Sequence, residues 1–207
     1  MNWLMISINM LFHPVDAFYL IKRDREKYSI LPSLVLLFMV LAARFIYIYQ
    51  VHYPLSTLKI WDSNIILEIA KLLVPVITWV VASYAITTIM EGESFMREIF
   101  AASAFAMLPY VIITLFLTIF SQFIGKTEEG LFSLLQLFMW IWIGVLFFIS
   151  VKYLNDFSFS KTAKICFISI IVMFIIWAVL LLIYALSGQL LQFFKGIFME
   201  IRMQYLE

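Results

Sequence analysis

The sequence predicts an all-α, polytopic membrane protein: five transmembrane helices in one bundle, with interfacial amphipathic helices at the N- and C-termini. Three observations carry that expectation. The 207-residue chain is 65% hydrophobic and only 13% charged, where soluble domains are about half apolar and about a quarter charged. It holds 21 Phe, 10 Tyr and 6 Trp, more aromatic surface than a soluble fold of this length can bury. Its apolar residues also gather into five runs, each near the roughly 20 residues needed to cross a core about 30 Å thick. Hydrocarbon offers no water to open backbone groups, so all five runs must be helical.

The whole chain, 1–207, reads as one membrane domain in three parts. Residues 1–29 form a cytoplasmic, interfacial segment. In HPVDAFYLIKRDREKY, His13, Pro14 and Asp16 mark a helix start, where the missing N–H of proline costs nothing. Val15, Phe18, Tyr19 and Leu20 are expected to dip into the interface while Lys22, Arg23, Arg25 and Lys27 meet anionic headgroups. No basic leader with a cleavage site opens the chain, so no signal peptide is expected.

The five spans fall at about 30–50, 65–90, 99–124, 131–154 and 163–187. Short connections make successive helices antiparallel neighbours. Pro75 and Pro109 are expected to kink the second and third spans. Two readings stay open there: bent helices whose neighbours take up the freed carbonyls, or paired broken helices forming a midplane solute site. Residues 188–207 form an extracytoplasmic amphipathic helix, with Leu190, Phe194, Ile197, Phe198, Ile201 and Tyr205 at helical spacing. It either rests in the outer leaflet or docks a partner through Phe194, Phe198, Glu200 and Arg202.

Lys and Arg near the span ends set orientation. Lys22, Arg23, Arg25, Lys27, Arg97, Lys152, Lys161 and Lys164 fall on one side; Lys59, Lys126, Lys195 and Arg202 fall on the other. The expectation is a cell-membrane protein with a cytoplasmic N-terminus and an extracytoplasmic C-terminus.

Two charged features stand out. The turn Glu91-Gly92-Glu93-Ser94-Phe95 joins the second and third spans, with Ser94 expected to cap the third helix. Within the spans, Arg44, Glu68 and Lys71 reach one level. Arg44 lies about 21 Å along the first span and Lys71 about 9 Å into the second. Charges at such depth face protein or a water-filled cavity. The trio is expected to be either a structural cluster with snorkelling cations or a polar site for a partner's carboxylate or an anion.

Catalytic and cofactor patterns are missing. His13 and His52 are the only histidines and sit on opposite sides, and no HExxH, GxSxG, Walker loop or CxxC occurs. The lone Cys166 allows no intramolecular disulfide. The expectation is a non-enzyme without metal or cofactor, whose partners are the bilayer and other membrane subunits rather than nucleic acid.

The stretch SYAITTIMEGESFMREIFAASAFAMLPYVI resembles the core of the Yip (Ypt-interacting protein) domain, where an acidic or glycine turn, a Ser-Phe pair and a Leu-Pro succeed one another. Here these are Glu91-Gly92-Glu93, Ser94-Phe95 and Leu108-Pro109. The short fourth loop NDFSFSKTAK, the segment FHPVDAFYLIKR and the closing EIR are similar to a short bacterial branch. The resemblance implies a five-span fold and an accessory role beside carbohydrate-importing ABC transporters. Eukaryotic relatives are linked to Rab-type GTPases and vesicle trafficking, and have long cytosolic N-terminal regions. This sequence has no such region, so a GTPase partner is not expected. Two alternatives remain: a small-solute transporter using the Pro75–Pro109 region, and a trafficking or membrane-organising protein.

Overall fold

The computed structural model describes residues 10–23, 30–51, 64–123 and 129–204, with the side chains of 191 and 196–204 outside that description. Among the described residues the main helices are, in order, α1 (Pro14–Arg23), α2 (Ile30–Gln50), α3 (Ile65–Ile89), α4 (Met96–Ala106), α5 (Leu108–Phe120), α6 (Glu129–Leu154) and α7 (Phe159–Gln204). No strand occurs among the described residues. Helices α2, α3, the α4–α5 pair, α6 and α7 are each long and apolar enough to cross a membrane. They form one bundle, as the composition predicts. The opposite signal, an alternating strand pattern, is absent from the runs.

The third span is its hub. Its apolar window is 72% buried, against 28–39% for the first, second and fourth spans and 11% for the fifth. Helix α4 packs on α2, α3 and α6, and α5 packs on α2 and α6. Small side chains permit this. Ala101, Ala102, Ser103, Ala104 and Ala106 are all essentially inaccessible, so backbones approach closely. That small-residue stripe is therefore used within the chain and is closed to any partner.

Pro109 does more than kink the span. Its ring lacks the N–H that would bond the Phe105 carbonyl, and the helix breaks at Met107 (φ −82°, ψ 0°). Shorter i→i−3 bonds, Met107 N to Ala104 O (3.2 Å) and Tyr110 N to Met107 O (3.1 Å), carry the chain through. Pro75 by contrast sits inside an unbroken α3. Helix α3 also silences its hydroxyls: Thr78, Ser83 and Thr87 donate to carbonyls one turn back, at 2.7 Å each.

Three expectations change. The first two spans are not close packing partners, since α2 rests on α4 and α5 whereas α3 rests on α4 and α7. Helix α1 turns its apolar face to protein rather than lipid. Ala17, Phe18 and Ile21 are buried, against α6 and α4. Finally, the fifth span and the C-terminal amphipathic segment are one uninterrupted helix of 46 residues. Gly188 alone does not stop a helix flanked by strong formers, and no proline follows it.

Candidate functional site

Two groups of ionisable side chains result, one embedded among the spans and one at the α1 end of the bundle. The embedded group is built on the first turn of α3. Asn64 caps that helix, its side-chain oxygen accepting from Ile66 N at 3.0 Å. Glu68 follows in the first turn, where the helix dipole favours negative charge.

The Glu68 side chain is only 4% exposed. Arg44 of α2 donates to its Oε2 through Nε at 3.0 Å and Nη2 at 2.7 Å. Lys71 donates to Oε1 at 2.7 Å. One carboxylate thus serves two cations, one per oxygen, and the trio keeps one net positive charge. Lys71, with a side chain 62% exposed, forms the open edge of the group.

The cations line a cavity of about 290 Å³, together with Tyr47, Tyr110, Thr114 and Gln136. The Arg44 guanidinium lies 5.5 Å from the Tyr47 ring centroid, within cation–π range. Gln136 Nε2 donates to the Tyr47 hydroxyl at 2.8 Å, and Tyr110 packs on Trp140 at 5.8 Å. A second cavity of about 450 Å³ shares Lys71, Leu72 and Trp140 with the first. It runs between α3, α6 and α7 past Pro75, Trp79, Gly144 and Phe147, and its lining is apolar apart from Lys71 and Cys166. Pro109 lines a different apolar cavity with Ile112, Phe138 and Trp142. Pro75 and Pro109 thus line different cavities, Pro109 facing α6 beyond the break at Met107.

At the α1 end, the acidic turn closes on the loop between α6 and α7. Glu91 adopts φ 59°, reversing the chain. Gly92 then approaches so closely that a Cβ there would lie 2.5 Å from Asn155 Oδ1 and 2.9 Å from Thr87 O. Asn155 is buried. Its Oδ1 accepts from Ser94 N at 3.1 Å and its Nδ2 donates to Val151 O at 3.1 Å. Ser94 does not cap α4: the N-cap is Phe95, whose N–H donates to Glu98 Oε2 at 3.1 Å. The Ser94 hydroxyl is buried with no hydrogen-bond partner among the described residues.

Lys22 of α1 reaches into the same corner, pairing with Asp156 and, at 3.3 Å, with Glu93. Partial burial pushes its ammonium pKa down, but the bonds to Asp156 and Glu93 outweigh that and hold it above the ordinary lysine value. The corner therefore ties α1, the α3–α4 turn and the α6–α7 loop together.

The remaining predicted residues lie elsewhere. His13, whose carbonyl accepts from Ala17 N, precedes α1, and Pro14 and Asp16 occupy its first turn. Phe194 is exposed on α7. Phe198, Glu200 and Arg202 lie on the helical backbone of α7, with side chains outside the described set, as is His52. Sequence reading missed Tyr47, Tyr110, Gln136 and Asn155. The first was legible as a residue one turn beyond Arg44, and Gln136 as the one amide inside the fourth apolar run. Among the described residues no three His, Cys, Asp or Glu side chains converge as a metal site.

The Yip1 domain family model matches residues 8–190. The chain belongs to that family of membrane domains and is a multi-pass membrane protein. No curated protein and no solved structure matches it.

Proposed function

We propose that this Yip1-domain protein is a non-enzymatic accessory subunit that binds other membrane proteins, with the permeases of a carbohydrate ABC importer as the first candidate partners. It would sit in the cell membrane with its N-terminus in the cytoplasm, as the distribution of Lys and Arg favours.

The observation that carries this reading is the fifth span. Helix α7 has 46 residues, about 69 Å at 1.5 Å per residue, against a hydrocarbon core of about 30 Å. Its contacts are to α3 and α6, and its apolar window is only 11% buried. Leu190, Phe193 and Phe194, near its C-terminal part, are more than half exposed. An apolar stripe continuing beyond the length of one crossing suits a helix-in-groove contact with another subunit.

Purification of tagged protein from native membranes in mild detergent, followed by mass spectrometry, tests the reading. The expected result is reproducible recovery of transporter permeases, lost when residues 188–207 are removed while the bundle still folds. Recovery of the protein alone would overturn it. Solute flux by the purified protein in proteoliposomes would instead support the transporter alternative.

A further inference from the structure

We infer that the joined polar and apolar cavities form a binding site for one anionic phospholipid, independent of any protein partner. The phosphate would sit against Arg44 and Lys71, and an acyl chain would lie in the crevice between α3, α6 and α7.

Charge comes first. Two cations share one carboxylate, so the group holds a net positive charge inside spans, where isolated charge is costly. Glu68 engages two of the five Arg44 donors and, among the described residues, one of the three on Lys71. Both cations line the polar cavity, and Lys71 lines the apolar one as well. A phosphate diester brings the missing negative charge and accepts several hydrogen bonds. Tyr47, Tyr110 and Gln136 add polar groups around it.

Shape comes second. The crevice runs along α3 from Lys71 to Trp79, about 12 Å at the helical rise. Its 450 Å³ falls within the usual range for small-molecule sites. Gly144 lines the crevice with room for a side chain, since a Cβ there would meet nothing within 4 Å. A soluble anion would leave this crevice unfilled. A transmembrane helix of a partner would fill it, but would have to carry a carboxylate of its own to the level of the cations. The pairing of a cationic mouth with an apolar slot favours a lipid.

The full chain, delipidated in detergent and returned to nanodiscs or lipid-doped micelles, provides the test by native mass spectrometry. The probes are phosphatidylglycerol, phosphatidylcholine and inorganic phosphate. Expected is one retained phosphatidylglycerol per chain in preference to phosphatidylcholine. Lys71→Gln should reduce that preference about fivefold, the scale of one cation near anionic lipid. Gly144→Leu, which fills the crevice without touching the ionic group, should abolish retention of the lipid and leave the melting temperature in detergent unchanged. Equal retention of both lipids by the wild type would overturn the inference. So would phosphatidylglycerol binding indifferent to both variants, or inorganic phosphate displacing the lipid completely at millimolar concentration. A tight dimer that excludes lipid from the crevice would overturn it in favour of a second copy.

Discussion

Replacing Glu68 by glutamine removes one charge from a group whose geometry gives it two dependants. Arg44 is the costly one. Its side chain is 23% exposed, and its two bonds to Glu68 both run to Oε2. Breaking a buried pair by deleting one partner costs about 3–5 kcal/mol. Two features lower that figure here. The glutamine oxygen still accepts one bond from Arg44, and the polar cavity offers Tyr47 and Tyr110 nearby. Lys71, 62% exposed, adds little, since accessible ion pairs contribute at most about 1 kcal/mol. The expected loss is about 2 kcal/mol, or about 4–8 °C in melting temperature for a chain of this length. Thermal melts in lipid–detergent micelles would read it, with Glu129→Gln at the exposed start of α6 as the control. The double variant Arg44→Gln/Glu68→Gln should recover part of the loss, because no unpaired guanidinium then remains. Equal melting of Glu68→Gln and Glu129→Gln would refute the reasoning. A double variant less stable than the sum of the two single losses would do so as well.

At the α1 end, Gly92→Ala forces a Cβ to 2.5 Å from Asn155 Oδ1 and should destabilise by about 1–3 kcal/mol; a denaturant titration unchanged from wild type would contradict the close approach. Lys22→Gln should lower stability by about 1 kcal/mol or less, because Asp156 and Glu93 are mostly exposed. Since the Lys22 pKa is raised, that contribution is complete below the ordinary lysine value of about 10.4. It is lost as pH rises through the higher folded value. Wild type and variant should therefore differ at pH 9 and converge in strong alkali. In a Cys166→Ser background, single cysteines at Glu91 and Glu129 should label from opposite sides of the membrane; labelling from one side would break the five-span topology.

Much of this architecture could be read before any coordinates, and the reason is physical. Hydrocarbon enforces helices of nearly fixed length, so composition and run length define the spans. The level shared by Arg44, Glu68 and Lys71 follows from a constant rise per residue, and the side chains do meet. Packing order was not readable in the same way. A short loop brings two helix ends together but does not oblige the helices to pack, and α2 and α3 instead flank the third span. Side-chain direction was equally hidden. Phe18 on an amphipathic helix can face lipid or protein, and only its burial against α4 and α6 decides. Ser94 looked like a cap, yet Asn155, 61 residues away, takes its N–H.

The broken third span explains why the ionic bridge is needed where it is. With α4 and α5 filling the centre of the bundle, α2 rests on both and α3 on α4. Pro109 prevents the span from continuing as one straight rod, and the cavity beside Tyr110 opens next to the break. Arg44 and Glu68 then close the gap between α2 and α3 by side chains alone. Apolar contact could hold the helices equally well, but in lipid it gives little preference for one lateral arrangement over another. An ionic bridge fixes registry between helices that are not close packing partners and leaves Lys71 at the mouth of the crevice. The polar cluster thus sets the position of α2 against α3, and the same choice creates the cationic mouth.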